Sequence, residues 1–532
     1  MENVKIFDTT LRDGQQSPGA GMSIEDNIIY AMMAADLGVD VLEAGFPAAS
    51  EDEAERVKKI AEAYAEREYS PIVTGLCQLR EAQVDATIQA LEPAINVERW
   101  RVHTYFPVDP ELMEASMPAD LRKEDGTPDY KKIEEEVYRL CKKASDAGAD
   151  VEFSLEWYSK IWDNFDFGTA LIDAAYRWGA KTINCPDTIW GAHPWQGDEY
   201  YVEKMKIHKK LMSDRYDNIN IIWSVHCHND LGKAVDNSTN GVIDGGARQI
   251  ECSVNGVWER AGNCSLQEVV TQIFLYGEKV GLYTNINMEH LQAISDFVAK
   301  KMLPLQPNSP VTWKNAARHT SGGHANALIK NPTVYQPFNP KNVGKKGIEL
   351  VFGPSSGGNH AKEIIEKYGY VCANHEKSDI AQFIKEYYKG RYKWVTDEEV
   401  VDSYFEYRYE NTEAPVDVTK INFSRDNGKA TVELFGKFFD MTDICQTIEW
   451  EDGAFTAVKK LFDKMMPGYT VEDYVQNADG KTTEAKAVSV VIITDGKKNF
   501  TWNSKDSDIN RSAIRALIEA YNRAWIEENS VK

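Results

Sequence analysis

His226, Cys227 and His228 stand at the end of the run NIIWSVHCHND, residues 220–230. In a β-strand, residues i and i+2 leave from the same face, so the two imidazoles point the same way. Ile221, Ile222, Trp223 and Val225 before them read as buried strand. Two neutral imidazoles side by side call for a common partner, and a divalent cation is the natural one. A lone His-x-His is weak support for a metal. Its weight here comes from other polar groups at the ends of apolar runs.

Arg12 and Asp13 follow the first such run, in FDTTLRDGQQSPGAGMS. Glu43 precedes Gly45, Phe46 and Pro47; His103 and Glu152 sit in the fourth and fifth runs, and Asp187-Thr188 closes the sixth. The eighth leads through Asn255 and Gly256 to Glu259, Arg260 and Asn263. Asp13 with the two histidines supplies one hard anionic oxygen and two imidazoles. That set suits Zn²⁺ or Mn²⁺, with Mg²⁺ as a further option, and leaves positions open for substrate or water. Singly, each has a plainer reading: Asp13 a turn cap before Gly14, Glu152 a wall carboxylate paired with Lys or Arg, Arg12 an exposed charge. Jointly, so many ionisable strand ends are hard to explain as core packing.

The elements that must position them alternate. Strand-like runs occupy residues 4–8, 40–44, 71–76, 100–106, 150–154, 181–185, 218–226 and 248–254. Each is followed by a stretch of helical period, such as 23–37, 129–147 and 263–280. Gly38, Gly148, Gly179 and Gly246 each precede a strand by one or two residues, as helix-ending glycines do. Eight βα units predict a (β/α)8 TIM barrel over residues 1–285, better than an open doubly wound sheet. In such a barrel, chemistry belongs at the C-terminal ends of the strands. Beyond it the rhythm stops: residues 288–301 read as a helix, 306–353 as a Gly, Asn and Pro-rich stretch, and 360–370 and 378–389 as further helices. Helical linker subdomains are expected over 286–410 and a linker over 410–417. A last α+β domain, a βββα unit used twice, is expected over 418–532, with strands near 430–439, 469–475, 487–494 and 499–502 and helices over 454–465 and 508–525. Few titratable groups cluster in it.

Composition narrows the class. A formal charge of -23 with no basic stretch argues against nucleic acid as a partner. No apolar run is long enough to cross a bilayer, and MENVKIFDTT lacks the regions of a signal peptide. The eight cysteines show no CxxC spacing and read as buried thiols of a reducing, cytoplasmic compartment.

FDTTLRDGQQSPGAGMS, EAGFPAAS, HCHNDLGKAVDNS, GARQIECSVNGVWERAGNCSLQEV and HTSGGHANALIKNPTVYQPFNPKNVG together resemble the 2-isopropylmalate synthases. These are members of the metal-dependent DRE-TIM family, which also holds the homocitrate and citramalate synthases. The resemblance spans the barrel, the segment to about residue 345 and, more loosely, the final domain. It implies an acyltransferase that condenses acetyl-CoA with 3-methyl-2-oxobutanoate and hydrolyses the thioester, the first committed step of leucine biosynthesis. The implied metal ligands are Asp13, His226, His228 and Asn263. Arg12 would stabilise the developing oxyanion, with His324 and Tyr335 as catalytic partners from the adjoining subdomain. His103, Glu152 and Thr188 would bind the oxo acid. The final domain resembles the leucine-sensing dimerisation module, which implies a homodimer.

Departures keep alternatives open. Gln15 replaces a usual Glu, HTYFPVDP replaces HTFIATS, EFSLEW replaces EFSxED, and one extra residue lies between His228 and Ala247. These flank the oxo-acid site, so citramalate synthase or another acetyl-CoA:2-oxo acid acyltransferase is the nearest rival. Homocitrate synthases usually lack the final module, and the glycine- and cysteine-rich loop of the 3-hydroxy-3-methylglutaryl-CoA lyases is absent. A catalytically silent binding protein of the same fold is the remote alternative. In the last domain WEDGAFTA and SKDSDI replace glycine-rich GNGPVDA and GVDTDI, which implies altered or absent leucine sensitivity.

Overall fold

The computed structural model describes residues 1–188, 191–391, 394–426, 429–450, 453–479 and 486–531. Two compact units emerge, one of residues 1–318 and 336–348, the other of 319–335 and 349–532.

The first unit is built on a closed barrel of eight parallel strands. In chain order they are β1 (Lys5–Asp8), β2 (Val41–Gly45), β3 (Ile72–Gln78), β4 (Trp100–Pro107), β5 (Asp150–Glu156), β6 (Ala180–Asp187), β7 (Ile222–Cys227) and β8 (Gln249–Cys252). All eight expected strands are present and the open-sheet alternative falls away, because β1 pairs with both β2 and β8. The glycine junctions behave as their sequence implied. Gly38 ends the helix Ile24–Leu37 in the left-handed conformation, φ 87°. A Cβ there would lie 2.7 Å from the Asn285 carbonyl oxygen, so backbone shape and contact both require glycine. At the other end of that helix Ser23 accepts from the Asp26 amide, an N-cap.

Strands buried on both faces read as unbroken apolar runs, and Val41–Gly45 is buried at every residue. Their outward side chains pack under the helices in one continuous apolar core that includes Leu42, Val73, Val102, Val151, Ile183 and Ile250. Inward side chains are another matter. Arg101, Glu152, Ser224 and Gln249 are wholly buried inside the barrel.

The second unit contains a helical part and a two-sheet part. Helices Gly358–Lys367, Lys377–Tyr387 and Asp397–Asn411 enclose their own small core, with Ile364, Ile380, Ile384 and Tyr404 buried. The third of these helices was not expected. Its aromatic-rich SYFEYRYE blurs the helical period, yet Thr396 and Glu399 form a reciprocal capping box that marks its start. The expected linker over 410–417 therefore shrinks to residues 412–415 between that helix and the strand Val416–Asp426.

Two antiparallel three-stranded sheets follow, each trailed by a helix, as the repeated βββα pattern predicted. The first sheet runs Val416–Asp426, Lys429–Phe438 and Met441–Trp450. Only its middle strand was legible, since the outer two carry polar residues on their exposed face. Glu451 and Asp452 of the WEDGAFTA departure lie outside the described residues.

Candidate active site

Asp13, on the turn after β1, and Asn263, after β8, meet across the seam where the barrel closes, with Asn263 Nδ2 donating to Asp13 Oδ2 at 3.2 Å. His226 Nε2 lies 3.5 Å from that same carboxylate oxygen and 3.0 Å from His228 Nε2. Asn263 bridges back to His228 through the backbone as well. All four side chains are nearly buried, at 1% to 6% exposure. Two imidazole nitrogens face to face at 3.0 Å satisfy at most one proton between them. Nitrogens ~2.1 Å from one divalent ion, and at right angles about it, would stand about 3.0 Å apart. Asn263 Oδ1 is buried without a hydrogen-bond partner, a further oxygen for the same point. Burial, then the charges of His226 and Arg260, push the His228 imidazole well below its ordinary pKa, which keeps its lone pair free. One carboxylate, two imidazoles and an amide thus fit a divalent cation.

Beside this group lies a cavity of about 200 Å³ lined by Arg12, Asp13, His103, Thr188, His226 and His228, together with residues not singled out in the sequence. Glu43 does not line the cavity itself but holds two residues that do. It accepts from Thr9 Oγ1 at 2.6 Å and Arg12 Nε at 2.7 Å, and its other oxygen lies 2.8 Å from His103 Nδ1. Burial alone would raise the Glu43 carboxyl, but the charges of Arg12 and His103 hold it down to about 2. Arg12 is also paired with Asp13. His103 turns its Nε2 to Ser154 Oγ, 2.7 Å away, and Asn184 donates to that oxygen at 2.9 Å.

Glu152 stands one tier lower. Its two oxygens accept from Arg101 at 2.6 Å and Gln249 at 2.7 Å, and it is absent from the cavity lining. The strand period explains which neighbours were missed: Ser154 and Glu156 leave β5 on the same side as Glu152 but nearer the mouth, and both line the cavity. About 3.3 Å per residue separates such tiers. Glu156 is raised to about 7 by burial, only partly offset by Arg12. Tyr105, two residues beyond His103, lines the cavity by the same rule, as do Asn184 on β6 and Glu251 on β8. Trp258 packs its ring centroid 3.9 Å from that of His228, and the Arg260 guanidinium lies 4.7 Å from the Trp258 ring centroid. Arg260 in turn holds Asp230 and the Thr188 carbonyl.

His324 and Tyr335 belong to the second unit. There the two rings stack at 4.0 Å, with His319 edge-on to His324 at 5.9 Å. Tyr335 takes a left-handed backbone, φ 57°, which bends the chain so that its ring meets the helix Gly322–Lys330 that carries His324.

Comparison with known proteins gives the site its context. Residues 3–298 match the HMGL-like family, 311–391 the "Homocitrate synthase post-HMGL domain-like" family and 452–525 the LeuA allosteric (dimerisation) domain. The 2-isopropylmalate synthase of Bradyrhizobium sp. (strain ORS 278) is 32% identical over 98% of this chain and 94% of its own. That of Rhodopseudomonas palustris (strain TIE-1) is 33% identical over 98% and 95%, and that of Caulobacter vibrioides (strain NA1000 / CB15N) 32% over 98% and 95%. The chain belongs to the 2-isopropylmalate synthase family. The three matched segments follow one another along this chain, and the likeness to those relatives runs through all of them. Among solved structures, an HMG-CoA lyase of Bacillus subtilis overlays on 59% of the chain at 18% identity and a TM-score of 0.45.

Proposed function

We propose that this chain condenses acetyl-CoA with 3-methyl-2-oxobutanoate and hydrolyses the resulting thioester, as a 2-isopropylmalate synthase. The convergence of Asp13, His226, His228 and Asn263 beside a cavity that also presents Arg12 and His103 carries this reading. A Zn²⁺ or Mn²⁺ ion held by those four groups would polarise the ketone of the oxo acid. The chain's own residues do the rest. Thr188 and His103 grip the oxo acid on the cavity wall, with Ser154 and Asn184 orienting His103. We assign that wall to Ser154 and Glu156 in preference to Glu152, whose oxygens are spent on Arg101 and Gln249. Arg12, aimed by Glu43, stabilises negative charge as it grows on the attacked oxygen. His324, stacked on Tyr335, takes the proton from the acetyl methyl or activates the hydrolytic water.

The final module supports a homodimer in the cytosol, where the eight free thiols stay reduced. No helix among the described residues is long and apolar enough to cross a membrane. The deciding experiment measures thiol release from acetyl-CoA with a panel of 2-oxo acids. Preference for 3-methyl-2-oxobutanoate is expected. Preference for pyruvate would move the assignment to citramalate synthase, the reading that the altered residues beside His103 and Glu152 leave open.

A further inference from the structure

The two imidazoles at the proposed cation site are held in different ways. His226 and Glu251 are direct neighbours across β7 and β8, and His226 Nδ1 lies 2.8 Å from Glu251 Oε2. Both side chains are buried, at 7% and 1% exposure. Neither Nδ1 makes a hydrogen bond of full geometry, but only that of His226 has a carboxylate beside it; the ring of His228 rests on Trp258. An imidazole backed by a carboxylate at Nδ1 keeps its proton there and offers its lone pair at Nε2. Nε2 of His226 is the atom that faces His228 Nε2 and Asp13 Oδ2.

Resting on the metal reading above, we propose that Glu251 is a positioning residue that fixes His226 in the Nδ1–H tautomer. It makes His226 the anchoring imidazole of the pair, while the outer edge of the His228 ring packs on Trp258 with no carboxylate behind it. A rival role for Glu251 can be weighed on the same geometry. One ligand atom each of His103, Glu152 and Glu251 lies within 4.8 Å of the others, a spacing that could itself hold a cation. Yet His103 is engaged by Glu43 and Ser154, and Glu152 by Arg101 and Gln249. A cation in that trio would break these bonds and sit against the buried Arg101 guanidinium. The partner left for Glu251 is His226.

The test uses the full-length protein, stripped of metal by a chelator and titrated with Mn²⁺ by calorimetry. Glu251→Gln is expected to weaken Mn²⁺ binding by about 10–100-fold, with the melting temperature of the metal-free protein little changed. Glu251→Asp, which keeps the carboxylate, is expected to recover part of that loss, and Trp258→Phe to cost less than Glu251→Gln. Mn²⁺ binding by Glu251→Gln equal to that of the unaltered protein overturns the proposal and leaves the metal reading standing. So does a lowered metal-free melting temperature with undiminished Mn²⁺ affinity, which marks a purely structural role. Failure of the unaltered protein to bind Mn²⁺, Zn²⁺ or Mg²⁺ overturns both readings together.

Discussion

The barrel and the final two-sheet module solve the problem of a protein interior in opposite ways. Inside the barrel, Arg101, Glu152 and Gln249 exchange hydrogen bonds, Glu43 and His103 pair, and Glu251 is buried close by against His226. The module's core is apolar: Val432, Leu434, Phe438, Val458, Phe462, Val491 and Ile493 lie between sheets and helices. Its charged pairs, such as Arg523 with Glu406 and Lys498 with Glu527, stand near its margin against the helix Asp397–Asn411. Burying a charge costs several kcal/mol unless it is paired and hydrogen-bonded. A fold that tolerates six polar groups at one point is arranged for something other than stability. The module lacks that signature, and its strand Thr470–Asp479 is exposed along nearly its whole length.

Five experiments would break or sharpen that contrast. Chelation should abolish turnover, and Asp13→Ala should do the same without recovery on adding Mn²⁺ or Zn²⁺; full-speed condensation after chelation would end the barrel reading. His324→Ala should lower kcat by roughly 10²–10⁴-fold, with metal and oxo-acid binding preserved, and an unchanged kcat would remove His324 from the chemistry. Phe462→Ala should destabilise the module by about 3–5 kcal/mol, measured by urea unfolding, with Mn²⁺ affinity unaltered. Loss of metal binding in that variant would show the two interiors to be coupled.

A fourth experiment follows from Glu156, whose carboxyl titrates near 7 in the fold against 4.5 when free. The folded state keeps a proton that the unfolded chain has lost between those values, so stability falls as pH rises through that window. Glu156→Gln should remove this slope, gaining up to about 3 kcal/mol at pH 8, while turnover drops. Unfolding at pH 5 and pH 8 tests it; an unchanged slope would show that Glu156 stays ionised. Last and smallest, leucine should inhibit weakly or not at all, and strong inhibition at low concentration would restore the module's sensing role.

Much of the barrel was legible because strand and helix periods alternate cleanly and glycine junctions punctuate them. Asp13, His226 and His228 could be found because they sit at strand ends, where a side chain has few other reasons to be ionisable. Depth along a strand was harder to read. Glu152 and Glu156 obey the same period, and only the three-dimensional tiering sends one to Arg101 and the other to the cavity. Glu251 was hidden for a related reason: its partner lies on the neighbouring strand, 25 residues back, and register is invisible in one sequence. The helix Asp397–Asn411 shows how an aromatic-rich stretch can blur a helical period while its capping box remains readable.

Asp13 and Asn263 are 250 positions apart in the chain yet touch where the barrel is sewn shut. The proposed set of four ligands is therefore incomplete in an emerging polypeptide until all eight staves have been laid and the last has found the first. The ion would then act as a clasp on the finished hoop, and amide exchange along the β1–β8 junction should slow when it is fastened.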